Sequence, residues 1–356
     1  MSAVGTSPRA RILAIAENLY PGYFALVMAT GALSIAFQLQ GYEAPARALL
    51  ALDVVAYAIL AALLVLRLLR FPRRVAADMT EHARAPGFFT VVAATCVLGT
   101  NLAVTGGIAR PAMVLWAIGI ALGVVVMYGF FFAVVTRPEK PSLESGINGA
   151  WLIAAVAAQS VSILGAVLAP SIARPEEALF FCLIMYMIGA MLYLSIITLI
   201  FYRLTFIHLT GAMFGPPYWI NMGAVAITSL AGATLISRAP DSPLIRTLLP
   251  FLEGFTLFFW ATASWWIPLL FILMIWRHGF MRYPFRYEPQ YWSMAFPLAM
   301  YTTGTLRLAD ELHVASLASI SRDFLWLAAL VWLVVFAGML RSFLGDSAQA
   351  PNASTP

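Results

Sequence analysis

Long apolar runs recur along the whole chain, and their composition alternates. They fall at 19–40, 46–70, 87–106, 111–136, 147–169, 177–204, 215–237, 245–277, 290–309 and 317–343, separated by short polar connections. The odd runs are rich in Gly, Ala, Ser and Thr, the even ones in bulky aliphatic and aromatic residues. About 20 apolar residues span a bilayer as a helix, and lipid admits only helices or closed barrels. These runs are continuous rather than alternating along the strand period, so the pattern predicts an all-α integral membrane protein with ten transmembrane helices. A helix facing lipid presents large apolar side chains, whereas one inside a bundle needs small ones for close approach. The odd helices begin near 19, 87, 147, 215 and 290, a repeat of roughly 60 to 75 residues, which predicts five helical hairpins around one axis with the odd helices inside.

Composition agrees: 62% of residues are hydrophobic, 10% are charged and the mean hydropathy is +0.87, against roughly 25% charged in soluble domains. Most of the Lys and Arg fall on one side of the predicted membrane, including Arg67, Arg70, Arg73, Arg74, Arg84, Arg137, Lys140, Arg203, Arg277, Arg282, Arg286 and Arg341. Arg47, Arg110, Arg174, Arg238, Arg246 and Arg322 fall on the other. The positive-inside rule makes the first side cytosolic, with both termini there, in the inner (plasma) membrane. The net charge of +5 is thereby accounted for and carries no nucleic-acid signal. Residues 1–18 read as a cytoplasmic segment with a short amphipathic helix at 8–18, 19–343 as the transmembrane domain, and 344–356 as a disordered cytoplasmic tail.

The chain carries no constellation for catalysis. Cys96 and Cys182 lie inside predicted helices without metal-ligand spacing, His82, His208, His278 and His313 are scattered, and no phosphate-binding or nucleophile motif occurs. An enzyme, a metal site or a bound cofactor is not expected. The odd helices instead offer hydroxyls and close-packing positions. Thr30, Gly31, Gly99, Thr100, Ser160, Thr228, Gly232, Thr303 and Gly304 are candidates to line a path for a small anion, and the competing reading is that they only let helices pack. Asp53, Glu253 and Arg307 are ionisable residues within apolar runs, where a charge is costly. Arg307 is the one cation on an odd helix and the candidate for drawing anions to the outer mouth; Asp53 and Glu253 suit hydrogen bonds between helices. Phe296, beside a helix-breaking Pro297, is a large ring on a helix of small residues and a candidate plug.

Four segments are similar to a known family: PGYFALVMATGALSIA (21–36), FFWATASWWIPLL (258–270) leading into WRH (276–278), and YWSMAFPLAMYTTGT (291–305). In order and spacing they resemble the tellurite-resistance/dicarboxylate transporter family, which includes malate and sulfite transporters and the plant slow-type anion channels. The resemblance covers about residues 15–343. It implies quasi-fivefold symmetry, inner helices lining a pore in each subunit of a homotrimer, and an aromatic gate matching Phe296 with Pro297 beside it. It also implies transport of a C4-dicarboxylate such as malate or a related organic anion. Gated conduction of chloride or nitrate, and tellurite resistance or sulfite efflux, are the alternatives within the family.

Overall fold

The computed structural model describes residues 7–348. The chain opens with α1 (Pro8–Glu17), capped by Ser7, whose hydroxyl accepts from the Ala10 amide. This is the helix expected at 8–18, and it leaves Ile12 and Ile15 half exposed. The first hairpin is α2 (Ala25–Leu39) with α3 (Glu43–Arg70), followed by the short α4 (Pro72–Thr80). The second is α5 (Phe89–Val104) with α6 (Ala109–Thr136), and one turn, α7 (Leu143–Gly146), leads to the third, α8 (Ile153–Leu168) with α9 (Pro175–Phe206). The fourth is α10 (Ile220–Ile236), a turn α11 (Pro243–Thr247), and α12 (Leu249–Ile275); the fifth is α13 (Trp292–Leu312) with α14 (Ala315–Ala348).

Each inner helix is entered through a tight 3₁₀ turn, at Pro21–Phe24, Ala85–Phe88, Gly149–Leu152, Pro216–Trp219 and Pro289–Tyr291. Four of the five turns hold a proline in their first two positions, where the missing N–H leaves nothing unpaired and the fixed φ already suits a helix. The third uses Asn148 instead, whose side chain accepts from the Ala150 amide at 2.8 Å. Proline and Asx caps thus do the same local work at equivalent places.

The five inner helices form a closed ring. α2 packs on α5, α5 on α8, α8 on α10, α10 on α13, and α13 returns to α2, while each carries its own hairpin partner outside: α3, α6, α9, α12 and α14. The division of labour read from composition is the one observed. Entry turn and helix together, the windows at Pro21–Leu39, Ala85–Val104, Gly149–Ser171 and Pro216–Ile236 are 72–100% buried, against 17–44% for the five outer spans. Among the described residues nine helices are long and apolar enough to cross a membrane. The tenth expected span, 290–309, is α13; its hydroxyls and its charged last turns lower its hydropathy, yet nearly all its side chains from Trp292 to Thr305 are buried between α2, α10 and α14.

Three boundaries differ from expectation. The span expected at 245–277 is broken at Leu248 between α11 and α12 and ends in a wide π turn at Trp276–Phe280. Helix α13 keeps its helical course through Pro297, within the single span expected over 290–309, and the last helix, α14, continues to Ala348 where a disordered tail was expected from 344. The remainder of that tail, 349–356, lies outside the described residues.

Most of the arginines gather at the end where the inner helices begin, and three of them tie hairpins shut. Arg67 Nε donates to the Glu17 carbonyl at 3.2 Å, Arg137 Nη1 to that of Thr80 at 2.6 Å, and Arg203 Nε to that of Glu144 at 2.8 Å. In each case the outer helix's last turn grips the strand of chain that leads into its own inner partner.

Candidate functional site

Two spaces lie on the axis of the ring, and the same five helices line both. Near the basic end a pinched space of about 10 Å³ is bounded by Ala25 and Met28 of α2, Thr90 of α5, Ile153 and Val156 of α8, Ile220 of α10, and Ser293 and Phe296 of α13. That volume holds one water at most. At the opposite end an open cavity of about 280 Å³ is bounded by Ile35 and Leu39, Thr100 and Val104, Ile163 and Val167, Leu230 with Thr234, Ser237 and Arg238, and Thr303 with Arg307. With about 100° per residue, the faces marked by these residues put Ala32, Ser160, Ile227 and Met300 between the two levels. The axis is therefore narrow and mostly apolar at the basic end and wide and cationic at the other. Phe296 is 2% exposed and stands at the narrow level.

The candidates named from sequence divide between axis and contacts. Thr100, Thr303 and Arg307 line the wide cavity, Phe296 the narrow space, and Ser160 lies on the axial face of α8. Thr30 turns outward, accepting from Trp332 Nε1 of α14 at 3.1 Å. Thr228 lies about 120° round α10 from Thr234 and donates to the Ala224 carbonyl at 2.6 Å. The glycines serve helix approach. A Cβ at Gly31 would lie 2.6 Å from Asp53 Oδ2, one at Gly99 2.5 Å from Leu164, one at Gly304 3.0 Å from the Ala226 carbonyl, and one at Gly232 would collide with Thr256. Pro297 packs on Gly223 of α10, where a Cβ would lie 2.6 Å from its ring.

The hydroxyls at the wide cavity are engaged with their own helices. Thr100, Thr234 and Thr303 donate to the carbonyls of Cys96, Leu230 and Ala299, and Ser237 donates to that of Thr234, at 2.7–3.0 Å. Such back-bonding spends the one hydroxyl proton on the helix itself. What remains toward the cavity is lone pairs.

Residues 18–340 match the family model for voltage-dependent anion channels, SLAC1. The chain belongs to the SLAC1 family. Relatives of this SLAC1-family protein span kingdoms: it is 38% identical over 165 residues to an uncharacterized membrane protein of Mycobacterium tuberculosis, covering 46% of this chain and 83% of that one. It is 26% identical to an uncharacterized transporter of Methanocaldococcus jannaschii, over 90% and 92% of the two chains. It is also 26% identical to a sulfite efflux pump of Arthroderma otae, over 90% of each. The protein is thus a multi-pass membrane protein of an anion-transport family.

Away from the axis, the buried polar groups of this SLAC1-family chain bind helices to one another. Asp53 is fully buried on α3; its Oδ2 accepts from Asn101 of α5 at 3.0 Å, and Asn101 Oδ1 accepts from Ser34 of α2 at 2.8 Å, so three helices share one polar node. Glu253 sits half-buried on α12, and its carboxylate makes no hydrogen bond to another of the described residues. Cys96 and Cys182 are buried thiols against Gly119 and Gly165. His82, in the loop after α4, is pulled below the ordinary histidine pKa by burial and then by Arg137 and Lys140. Sequence reasoning passed over Arg238, which it counted as a topology charge, and Met28 and Met300; helical phase counted from Phe296 would have found Met300.

Proposed function

We propose that the protein carries anions along the axis of the five inner helices, with Phe296 as the closing element and a C4-dicarboxylate such as malate as the cargo. The observation that supports this reading is the pair of spaces lined by the same five helices, one wide and one pinched, with Phe296 on the wall of the pinched one. A ring of that size in a constriction of about 10 Å³ excludes a hydrated ion by contact and by dewetting, and a rotamer change suffices to relieve it. The helix dipoles act in the same sense. Five N-termini converge at the basic end, each worth about half a positive charge, so an anion is favoured there without a fixed site that would hold it.

The cargo has a second reading, sulfite or a similar inorganic oxyanion, favoured by the likeness to the fungal sulfite efflux pump along 90% of both chains. The basic end faces the cytosol on this proposal, and the unit is one subunit of a homotrimer in the inner membrane. Flux into proteoliposomes of chloride, nitrate, malate and sulfite, at two external pH values, tests both readings. Phe296→Ala is expected to raise the flux of the carried anion at least tenfold without changing its selectivity order. Unchanged flux in a well-folded variant would place the closing element elsewhere.

A further inference from the structure

We propose that Arg238 and Arg307 together form a capture site for a doubly charged oxyanion in the wide cavity at the outer end of the axis. This rests on the axis being the anion's route. An anion entering that cavity needs hydrogen-bond donors, and the hydroxyls there are already engaged, since Thr100, Thr234, Ser237 and Thr303 all donate to backbone carbonyls. The C-termini of the five inner helices also converge at this end and contribute negative partial charge. Two guanidiniums oppose it.

Neither arginine is spent on a strong partner. Arg307, half-buried in the last turns of α13, has no carboxylate within 4.0 Å among the described residues. Arg238, just past the end of α10, has a buried Nε with no partner, and its Nη1 lies 3.6 Å from Asp241 Oδ2, a carboxylate 46% exposed. That separation is beyond a hydrogen bond, and water screens so exposed a pair. The neighbouring acids temper the site without filling it: Glu311 is within electrostatic reach of both arginines and of Asp310 and His313. Two planar forks, each able to take two oxygens, match an anion with two charges and several oxygens better than chloride or nitrate. Malate and sulfite share that chemistry.

The test is equilibrium binding of sulfite, malate, nitrate and chloride to the purified full-length chain at constant ionic strength, compared for the wild type, Arg238→Gln, Arg307→Gln and the two Lys variants. Binding from the outer side does not require Phe296 to move, so this readout stands or falls apart from the flux of Phe296→Ala. The wild type is expected to prefer the dianions. Each Gln variant should lose about tenfold or more in dianion affinity, the worth of a charge-assisted hydrogen bond, and about twofold for chloride. Each Lys variant, keeping charge but not the fork, should fall between. Sulfite and malate losses in unequal proportion identify the source of the dianion. Dianion affinity unchanged in both Gln variants overturns the site, a loss confined to Arg307→Gln removes Arg238 from it, and equal losses for dianions and chloride reduce it to general attraction. Matched thermal melts keep a folding defect from passing as any of these.

Discussion

Phe296 and Pro297 divide two tasks between adjacent positions of one helix. The ring of Phe296 faces the axis, and about 100° round the helix Pro297 presses its own ring onto α10. Gly223 makes that contact possible, since a Cβ there would lie 2.6 Å from Pro297 Cγ and 3.4 Å from its Cα. A proline ring has no flexible end to swing aside, so the helices would have to part. Gly223→Ala is therefore expected to cost about 1–3 kcal/mol, read as a lower melting temperature of the purified protein. Gly254→Ala, where nothing lies within 4 Å, should be neutral or gain up to about 1 kcal/mol through helix propensity. At this scale the sequence was legible by residue type and misread by direction. Thr30, Gly31, Gly99, Thr228, Gly232 and Gly304 have the right chemistry for a lining and the wrong helical phase; small residues gather where backbones approach, and that is between helices as much as along an axis.

Helices are held in their hairpins by a device that recurs at the basic end. Arg67, Arg137, Arg203, Arg277 and Arg341 stand at equivalent places at or near the ends of the outer helices. The first three reach a backbone carbonyl in the segment entering the partner helix, where a cation also meets the negative end of its own helix. The last two depart. Arg277 lies over the Tyr283 ring at 4.2 Å, with Nε and Nη1 buried and unpartnered, on the π turn that widens the end of α12. Arg341 is exposed and lines a cleft with Arg286 and Tyr287. Removing a latch should matter where it is closed and buried. Arg203→Ala is expected to lower stability by about 1.5–3 kcal/mol, the range for a hydrogen bond to a charged group, while Arg341→Ala stays within about 0.5 kcal/mol; equal effects in chemical unfolding would refute the latch. Inner and outer helices were legible because burial selects composition along 20 residues at a time. The latches were not, because an arginine that sets topology and one that grips a carbonyl look alike in sequence, and their partner is backbone.

At the scale of the molecule the ring has two unlike ends, and the transport proposal depends on which faces the cytosol. The N-termini of the inner helices and most of the arginines crowd one end; the C-termini of the inner helices, Arg238 and Arg307 mark the other. Lys and Arg resist translocation, so the crowded end is expected to stay inside. The chain suits a direct test, because both native cysteines are buried and a new surface thiol gives the signal by itself. Arg73 follows the first hairpin at the crowded end, and Arg246 lies in α11 at the other; both are exposed. In intact cells a membrane-impermeant maleimide is expected to label Arg246→Cys and to reach Arg73→Cys only after the membrane is opened. The reverse pattern would put the arginine pair on the cytosolic side, where it would load an anion for export rather than capture one from outside.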